Sequence, residues 1–387
     1  MDRSIDVLIV GGGPGGLFMA ARLADRGVRT LVCEEHARVG DPVHCTGVLA
    51  ADSFAAFDLP NTATLNQLTA VRFLSPGGIP VDYTTPSPLA TVIDRPTFDR
   101  ALAARAIAAG AEIRVGARVT SLEADASGAR ASVGGATIHA RLAVLACGAN
   151  YKFQRRFGLG LPTTYLQTAQ RELPARHPGD VELHFGRDVA PGGFAWAVPV
   201  LRPGGASVRI GVMASRDIRQ CYDRMLGRIG ERWGVTASGA APRVKILPLG
   251  AVGRTYGERM LAIGDAAGLV KPTTGGGIHY SIVSAALAAE VAVEALAADR
   301  LDAETLSTYE RAWRAELADE FEAQQELRQV ATSLSDKAID SFFELAHTDG
   351  IMPIVRATAR FNEHRPLIRA LFKHPPARRI LFRAMMA

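Results

Sequence analysis

A chain of 387 residues is too long for one small core and has room for two interleaved domains or one large one. With 48% apolar and 21% charged residues it is ordinary globular material, able to bury a sizeable core. The net charge of +5 is mild and unevenly placed: from Arg356 onward seven arginines and one lysine face the single acid Glu363, and the remainder gives no reason to expect a nucleic-acid partner.

The first apolar run, Asp6 to Val10, is too short for a signal peptide and reads as a buried strand leading into a glycine loop. That loop is Gly11-Gly-Gly13-Pro-Gly15-Gly16, followed by a helical pattern through Leu17, Ala21 and Leu23. A GxGxxG between strand and helix gives a tight turn, lets backbone approach a pyrophosphate, and aims helix N-terminal amides at phosphates. A second strand, Val28 to Cys33, ends at Glu34, eighteen residues beyond Gly16, where a carboxylate can accept ribose hydroxyls. Glu35 is the alternative, although the strand register favours Glu34. The four cysteines, Cys33, Cys45, Cys147 and Cys221, show neither CxxC nor metal-ligand spacing, so reduced thiols in a cytoplasmic protein are expected.

Further along, Val71–Leu74, Val181–Phe185, Phe194–Val200 and Ser207–Val212 alternate between Gly/Pro turns, which predicts an antiparallel sheet. Phe194 and Trp196 share one face of their strand, either lining a substrate chamber or filling the sheet's core. A short strand then ends in Gly264-Asp265-Ala-Ala-Gly268, followed by Pro272, Gly275-Gly276-Gly277 and an Ala-rich helix from Ile278. An Asp there can hold ribityl hydroxyls, the glycines let backbone pass a flavin ring, and the helix N-terminus offsets charge on reduced flavin. A plain strand–turn–helix connection is the alternative. This second unit selects FAD over a nicotinamide dinucleotide. The helix itself carries Glu290 and Glu294, which argues against a membrane span.

The order GxGxxG, acid, Asp-Arg-x-x-Phe-Asp (Asp94 to Asp99), Cys147-Gly148 and GDAAG…GGGI resembles the p-hydroxybenzoate-hydroxylase-type flavoprotein fold. Within it, Val39–Gly47 and Pro191-Gly-Gly-Phe194-Ala-Trp196-Ala-Val198-Pro199 are similar to the cysteine loop and the PxxYxWxFP motif of the geranylgeranyl reductase family, with Phe194 for Tyr and Val198 for Phe. The resemblance spans about residues 1 to 300. It implies an α/β fold: a Rossmann-like FAD domain (1–70, 90–160, 248–300), an inserted antiparallel-sheet substrate domain (71–89, 161–247) and a C-terminal helical region (301–387). It also implies FAD contacts at Gly15, Glu34, Cys45, Thr46, Gly47, Arg95, Val119, Asp265, Gly277 and Ile278, several through backbone.

The implied activity is reduction of carbon–carbon double bonds in a prenyl or other apolar substrate. Phe194 and Trp196 line the chamber in that reading, Cys45 tunes the ring or is an inert thiol, and Tyr280 or His279 donates a proton or packs the helix. Where relatives carry Ala-Asp-Gly, this chain has Ala146-Cys147-Gly148, which argues against an NADPH-driven hydroxylase and leaves NAD(P)H, ferredoxin or another flavoprotein as electron donor. A monooxygenase on the same fold is the competing reading. A halogenase is discounted, because no lysine precedes Lys152. The third reading is a membrane adaptor. In the tail, Ile354, Leu367, Ile368, Leu371, Phe372, Ile380, Leu381 and Phe382 alternate with basic residues, which suits peripheral contact with anionic lipid or a helical subdomain with its charges in water.

Overall fold

A computed structural model describes residues 5–235, 241–348 and 350–385, with side chains placed as far as residue 381. The readings on residues 1–4 and on the side chains of Phe382 and Arg383 lie outside the described residues.

The first apolar run forms the strand Ile5–Val10, parallel to Thr30–Cys33 (Leu8 opposite Leu31) and to Ala136–Leu145 (Val7 opposite Leu142). Glu112–Arg114 and Met260–Ala262 extend this sheet on either side, and Tyr256–Gly257 closes one edge antiparallel. Helices Pro14–Asp25, Arg95–Ala108 and Ile278–Ala297 pack over it. Burial on both faces is why Val7–Val10 reads as a continuous apolar run rather than an alternating one. By length and composition alone Ile278–Ala297 could cross a membrane. Here its Ile282, Ala285, Ala288 and Ala292 are buried in the core, and Glu290 lies 3.7 Å from Arg22 and 3.3 Å from Arg26.

A second sheet runs Arg243–Pro248, Tyr165–Pro174, Gly205–Ala214, Phe194–Arg202, Val181–His184, Ala70–Leu74, Pro80–Thr84. It is not wholly antiparallel: Val71 pairs with Val181 in parallel register. Parallel neighbours need a long crossover, and the nucleotide-binding segments between residues 84 and 165 supply it. Alternation along Phe194–Arg202 divides the two faces. Ala195 and Ala197 turn toward helix Ile218–Gly230, while Trp196 and Val198 turn toward Leu249 and Val270 of the nucleotide-binding half. A small sheet of Val48–Ala50, Ala90–Ile93 and Thr64–Leu68 adds to the layers. The C-terminal part opens with helix Ala303–Ser333, capped by Asp302 through the Thr305 amide (2.8 Å) and anchored by Tyr309 Oη donating to Ala262 O (2.9 Å). Asp336–Thr348, Ile351–Thr358, Arg365–Lys373 and Pro375–Met385 follow, gathered around Leu345, Ile351 and Ala377.

The two glycine turns meet at one residue. A β-carbon on Gly15, in the first helix, would overlap Ser281 Oγ, and so would one on Gly264. Gly264 has φ +56°, and its amide donates to Ser284 Oγ (3.0 Å). The first turn of helix Ile278–Ala297 is thus wedged between segments some 250 residues apart in sequence. Gly15→Ala is expected to destabilise the fold by about 1–3 kcal/mol through overpacking, and Ser281→Ala in that background to recover part of the loss. Urea unfolding of the three variants checks this; an unchanged midpoint for Gly15→Ala contradicts the close approach.

Candidate active site

One cavity of about 1630 Å³ runs from the first glycine turn to the second sheet and the C-terminal helices. At the nucleotide end, Glu34 is buried at the tip of its strand and accepts from the Gly12 amide (2.7 Å) and the His36 amide (2.9 Å). Glu35 turns outward to Arg118 (3.0 Å), as expected from side-chain alternation. Gly11 adopts φ +112°, and a β-carbon there would overlap Ala146 O, so the turn admits only glycine without a shift. Gly13 caps helix Pro14–Asp25 with no side-chain acceptor, and nothing lies within 4 Å of where its β-carbon would stand. The first-turn amides beside it are therefore free for an anion. Gly16 and Val119 also line this end.

At the other end, Asp265, Gly275, Gly276, Gly277 and Ile278 line the wall. Gly277 caps its helix without a side-chain partner, and a β-carbon on it would stand 2.7 Å from Asp265 Oδ1. Burial pushes the Asp265 carboxyl above its ordinary range, with the Arg95 charge opposing. Among the described residues that carboxylate accepts no hydrogen bond, while the Asp265 carbonyl accepts from Tyr151 Oη (2.7 Å). Arg95 grips Asp99 through two bonds of 3.1 and 2.9 Å and lies beside the Cys45 sulfur. Burial alone would disfavour its charge, but Asp99 and Cys45 outweigh that and hold its pKa above the usual value. The Gly47 amide donates to Cys45 Sγ (3.3 Å). The second sheet holds this loop: Thr46 Oγ1 donates to Gln170 Oε1 (2.8 Å), and buried Arg209 donates to Thr46 O (2.6 Å) and Ile93 O (2.9 Å).

Phe194, Trp196 and Val198 line the middle of the cavity, with Val71, Phe73 and Leu183 beside them. Opposite Trp196 stands Gly211, where a β-carbon would overlap the indole. Trp196 Nε1 and His44 Nδ1 are buried, line the cavity and have no partner among the described residues. Burial, helped by Lys245 and Arg243, lowers the His44 pKa to about 4. The far wall is Val355, Leu367, Ile368 and Leu371 of the C-terminal helices. The apolar stripe of those helices thus faces the chamber.

Two expected residues lie elsewhere. Gly264 is buried beneath Asp265 against Ser281 and braces the turn without lining the cavity. Tyr280 is 1% exposed, its ring packs on Phe321 and its hydroxyl accepts from Gln324 Nε2 (3.2 Å), so it cannot serve as the donor. His279 does line the cavity, with Nδ1 3.0 Å from Ser53 Oγ; burial and the charge of Lys271 lower its pKa to about 4. Lys271, which no motif marked, also lines it and donates Nζ to Phe361 O and Asn362 Oδ1, both at 2.7 Å. Burial brings its pKa down to about 7, against the pull of Glu320 and Asp52.

Uncapped helix N-termini at both ends, an acid at each end and unpartnered polar atoms between them fit an elongated flavin dinucleotide. Comparison with known proteins agrees. A family model described as FAD binding domain matches residues 4–171, and one described as lycopene cyclase protein matches residues 243–351. The digeranylgeranylglycerophospholipid reductase 1 of Methanococcoides burtonii is 30% identical, over 88% of this chain and 87% of its own length. Digeranylgeranylglycerophospholipid reductase 2 of Methanothermobacter thermautotrophicus is 28% identical over 97% of this chain and 98% of its own. Among solved structures, a geranylgeranyl bacteriochlorophyll reductase-like protein from Thermoplasma acidophilum superposes with a TM-score of 0.84 at 22% identity, covering 98% of this chain and 99% of that one. The halogenase PltM shares the fold at a TM-score of 0.70 and 16% identity, covering 98% of this chain and 86% of that one. With a 30% identical relative matched along most of both chains, and with the two glycine turns gripping one cavity, the chain belongs to the geranylgeranyl reductase family of FAD-dependent oxidoreductases.

Proposed function

We propose that this enzyme reduces carbon–carbon double bonds in prenyl chains of a lipid. The observation that carries the reading is the lining: the cavity that would hold FAD is also walled by Phe73, Leu183, Phe194, Trp196 and Val198 of the second sheet and by Val355, Leu367, Ile368 and Leu371 of the C-terminal helices. These apolar side chains come from two separate elements, and the polar Thr168, Gln170 and Lys245 line the cavity as well. When bound, FAD supplies a hydride to one alkene carbon, and the other carbon then needs a proton.

The chain's own residues do the rest. Phe194, Trp196 and Val198 hold the prenyl chain and exclude water, and Arg209 and Gln170 keep the Cys45 loop against the ring. Lys271 holds the proton at Nζ. His279 is neutral near pH 7 and serves as a hydrogen-bond partner of Ser53 rather than an acid. Two electrons come from NAD(P)H, ferredoxin or another flavoprotein.

The C-terminal helices also carry Arg356, Arg369, Lys373, Arg378 and Arg379, with no ion pair among the described residues. Because Leu367, Ile368 and Leu371 face the chamber and Ile380 packs within the helical cluster, contact with an anionic lipid surface rests on charge rather than insertion. That contact places a cytoplasmic protein at the membrane from which its substrate is drawn.

Under anaerobic conditions, prenyl lipid added to the dithionite-reduced enzyme is expected to reoxidise the flavin and yield a saturated chain. Reoxidation only on admitting oxygen, with a hydroxylated product, contradicts the reductase reading. The rate should fall as pH rises through about 7, because the proton leaves Lys271 there. Lys271→Met should lose about 10²–10⁴-fold and that limb of the profile; an unchanged profile assigns the proton elsewhere. In flotation with anionic liposomes, the charge-reversed variant R369E/K373E/R378E should float less than the parent and the difference should shrink at high salt; equal flotation removes the membrane role.

A further inference from the structure

A second groove, of about 650 Å³, opens beside the turn Pro191–Gly193 that precedes the Phe194–Trp196 strand. Arg187, Arg216 and Arg328 line it, with hydroxyl and amide side chains such as Thr163, Ser215 and Gln329 between them, and no carboxylate is among its lining residues. Arg328, half-buried on helix Ala303–Ser333, donates to Gly192 O (2.7 Å) and Pro272 O (3.4 Å). A guanidinium has five N–H groups, so most of its donors have no acceptor among the described residues. Its burial disfavours the charge and no acid offsets it. Arg187 donates one bond to Leu334 O (3.1 Å), while its amide, not its guanidinium, meets Asp336 (2.9 Å). Arg216 is largely exposed, its Nε 3.8 Å from Asp217.

A desolvated guanidinium without a counter-charge is costly, and planar forks of this kind recognise phosphate in two-pronged fashion. We propose that this groove is a binding site for a phosphate-bearing anion, held between Arg328 at its floor and Arg187 and Arg216 at its rim. The site is separate from the flavin cavity but mechanically joined to it. The guanidinium that would meet the phosphate also ties Gly192, before the substrate wall, to Pro272, before the flavin turn.

The test is calorimetric titration of the FAD-loaded protein with inorganic pyrophosphate. Saturable single-site binding is expected, weakened about tenfold or more by Arg187→Ala and by Arg216→Ala, the loss of one charge-assisted hydrogen bond each. Arg378→Ala, on the basic tail, should leave it unchanged. Absent saturation, parental affinity in the rim variants, or an equal loss in the tail variant overturns the proposal. Arg328→Lys should weaken binding with unaltered circular dichroism; full affinity in that variant also overturns it. Competition then names the source. Displacement by NADPH but not NADH points to a nucleotide phosphate, displacement by a prenyl diphosphate but not the prenyl alcohol to a substrate head group, and displacement by neither to free phosphate. Each of these keeps the site, and none depends on the prenyl-reductase reading.

Discussion

Ser281 is the point on which the molecule turns. Its side chain fills the only space left between Gly15 and Gly264, so the helix that closes the flavin end is registered directly against the helix that opens the nucleotide end. With no β-carbon on either glycine, the two helix starts approach closely enough to face one cavity. Near that junction Asp265 feels the charge of Arg95, and Trp196 and Val198 of the second sheet pack toward Val270.

Around this junction the charges are arranged by depth. Arg95 is largely buried yet keeps its charge, because Asp99 meets it through two bonds and the Cys45 sulfur lies beside it. Asp265 has no such partner and is pushed toward its neutral form. Lys271 sits between these cases, anchored by two neutral oxygens, so burial lowers its pKa while hydrogen bonds keep it in place. The same ammonium secures the loop at Phe361 and Asn362, and with it the C-terminal wall of the chamber.

Local chemistry was legible in the sequence wherever it was set by neighbours in the chain. The glycine turns, the strand ending at Glu34 and the shared face of Phe194 and Trp196 are all properties of short stretches. The misplacements have equally specific causes. Tyr280 follows Ile278 by two residues, about 200° around a helix, so when Ile278 faces the cavity Tyr280 faces the core. Gly264 belongs to a motif whose next residue reaches the cavity, while it is itself spent on packing. Strands Tyr165–Pro174 and Arg243–Pro248 escaped notice because Thr168, Gln170 and Lys245 give them a polar face that turns toward the cavity, the reverse of a simple buried-face pattern. Arg209, Gln170, Lys271 and Asn362 carry no motif. The partners described above lie 90 to 163 residues away and meet only once the chain has folded together.

The pairing of Trp196 with Gly211 makes the chamber's width a two-residue property. The indole lies close against the bare backbone of Gly211 on the strand across from it, and a methyl group there would overlap the ring and force a shift. The place of a cavity-lining ring is therefore fixed by a position that does not itself line the cavity.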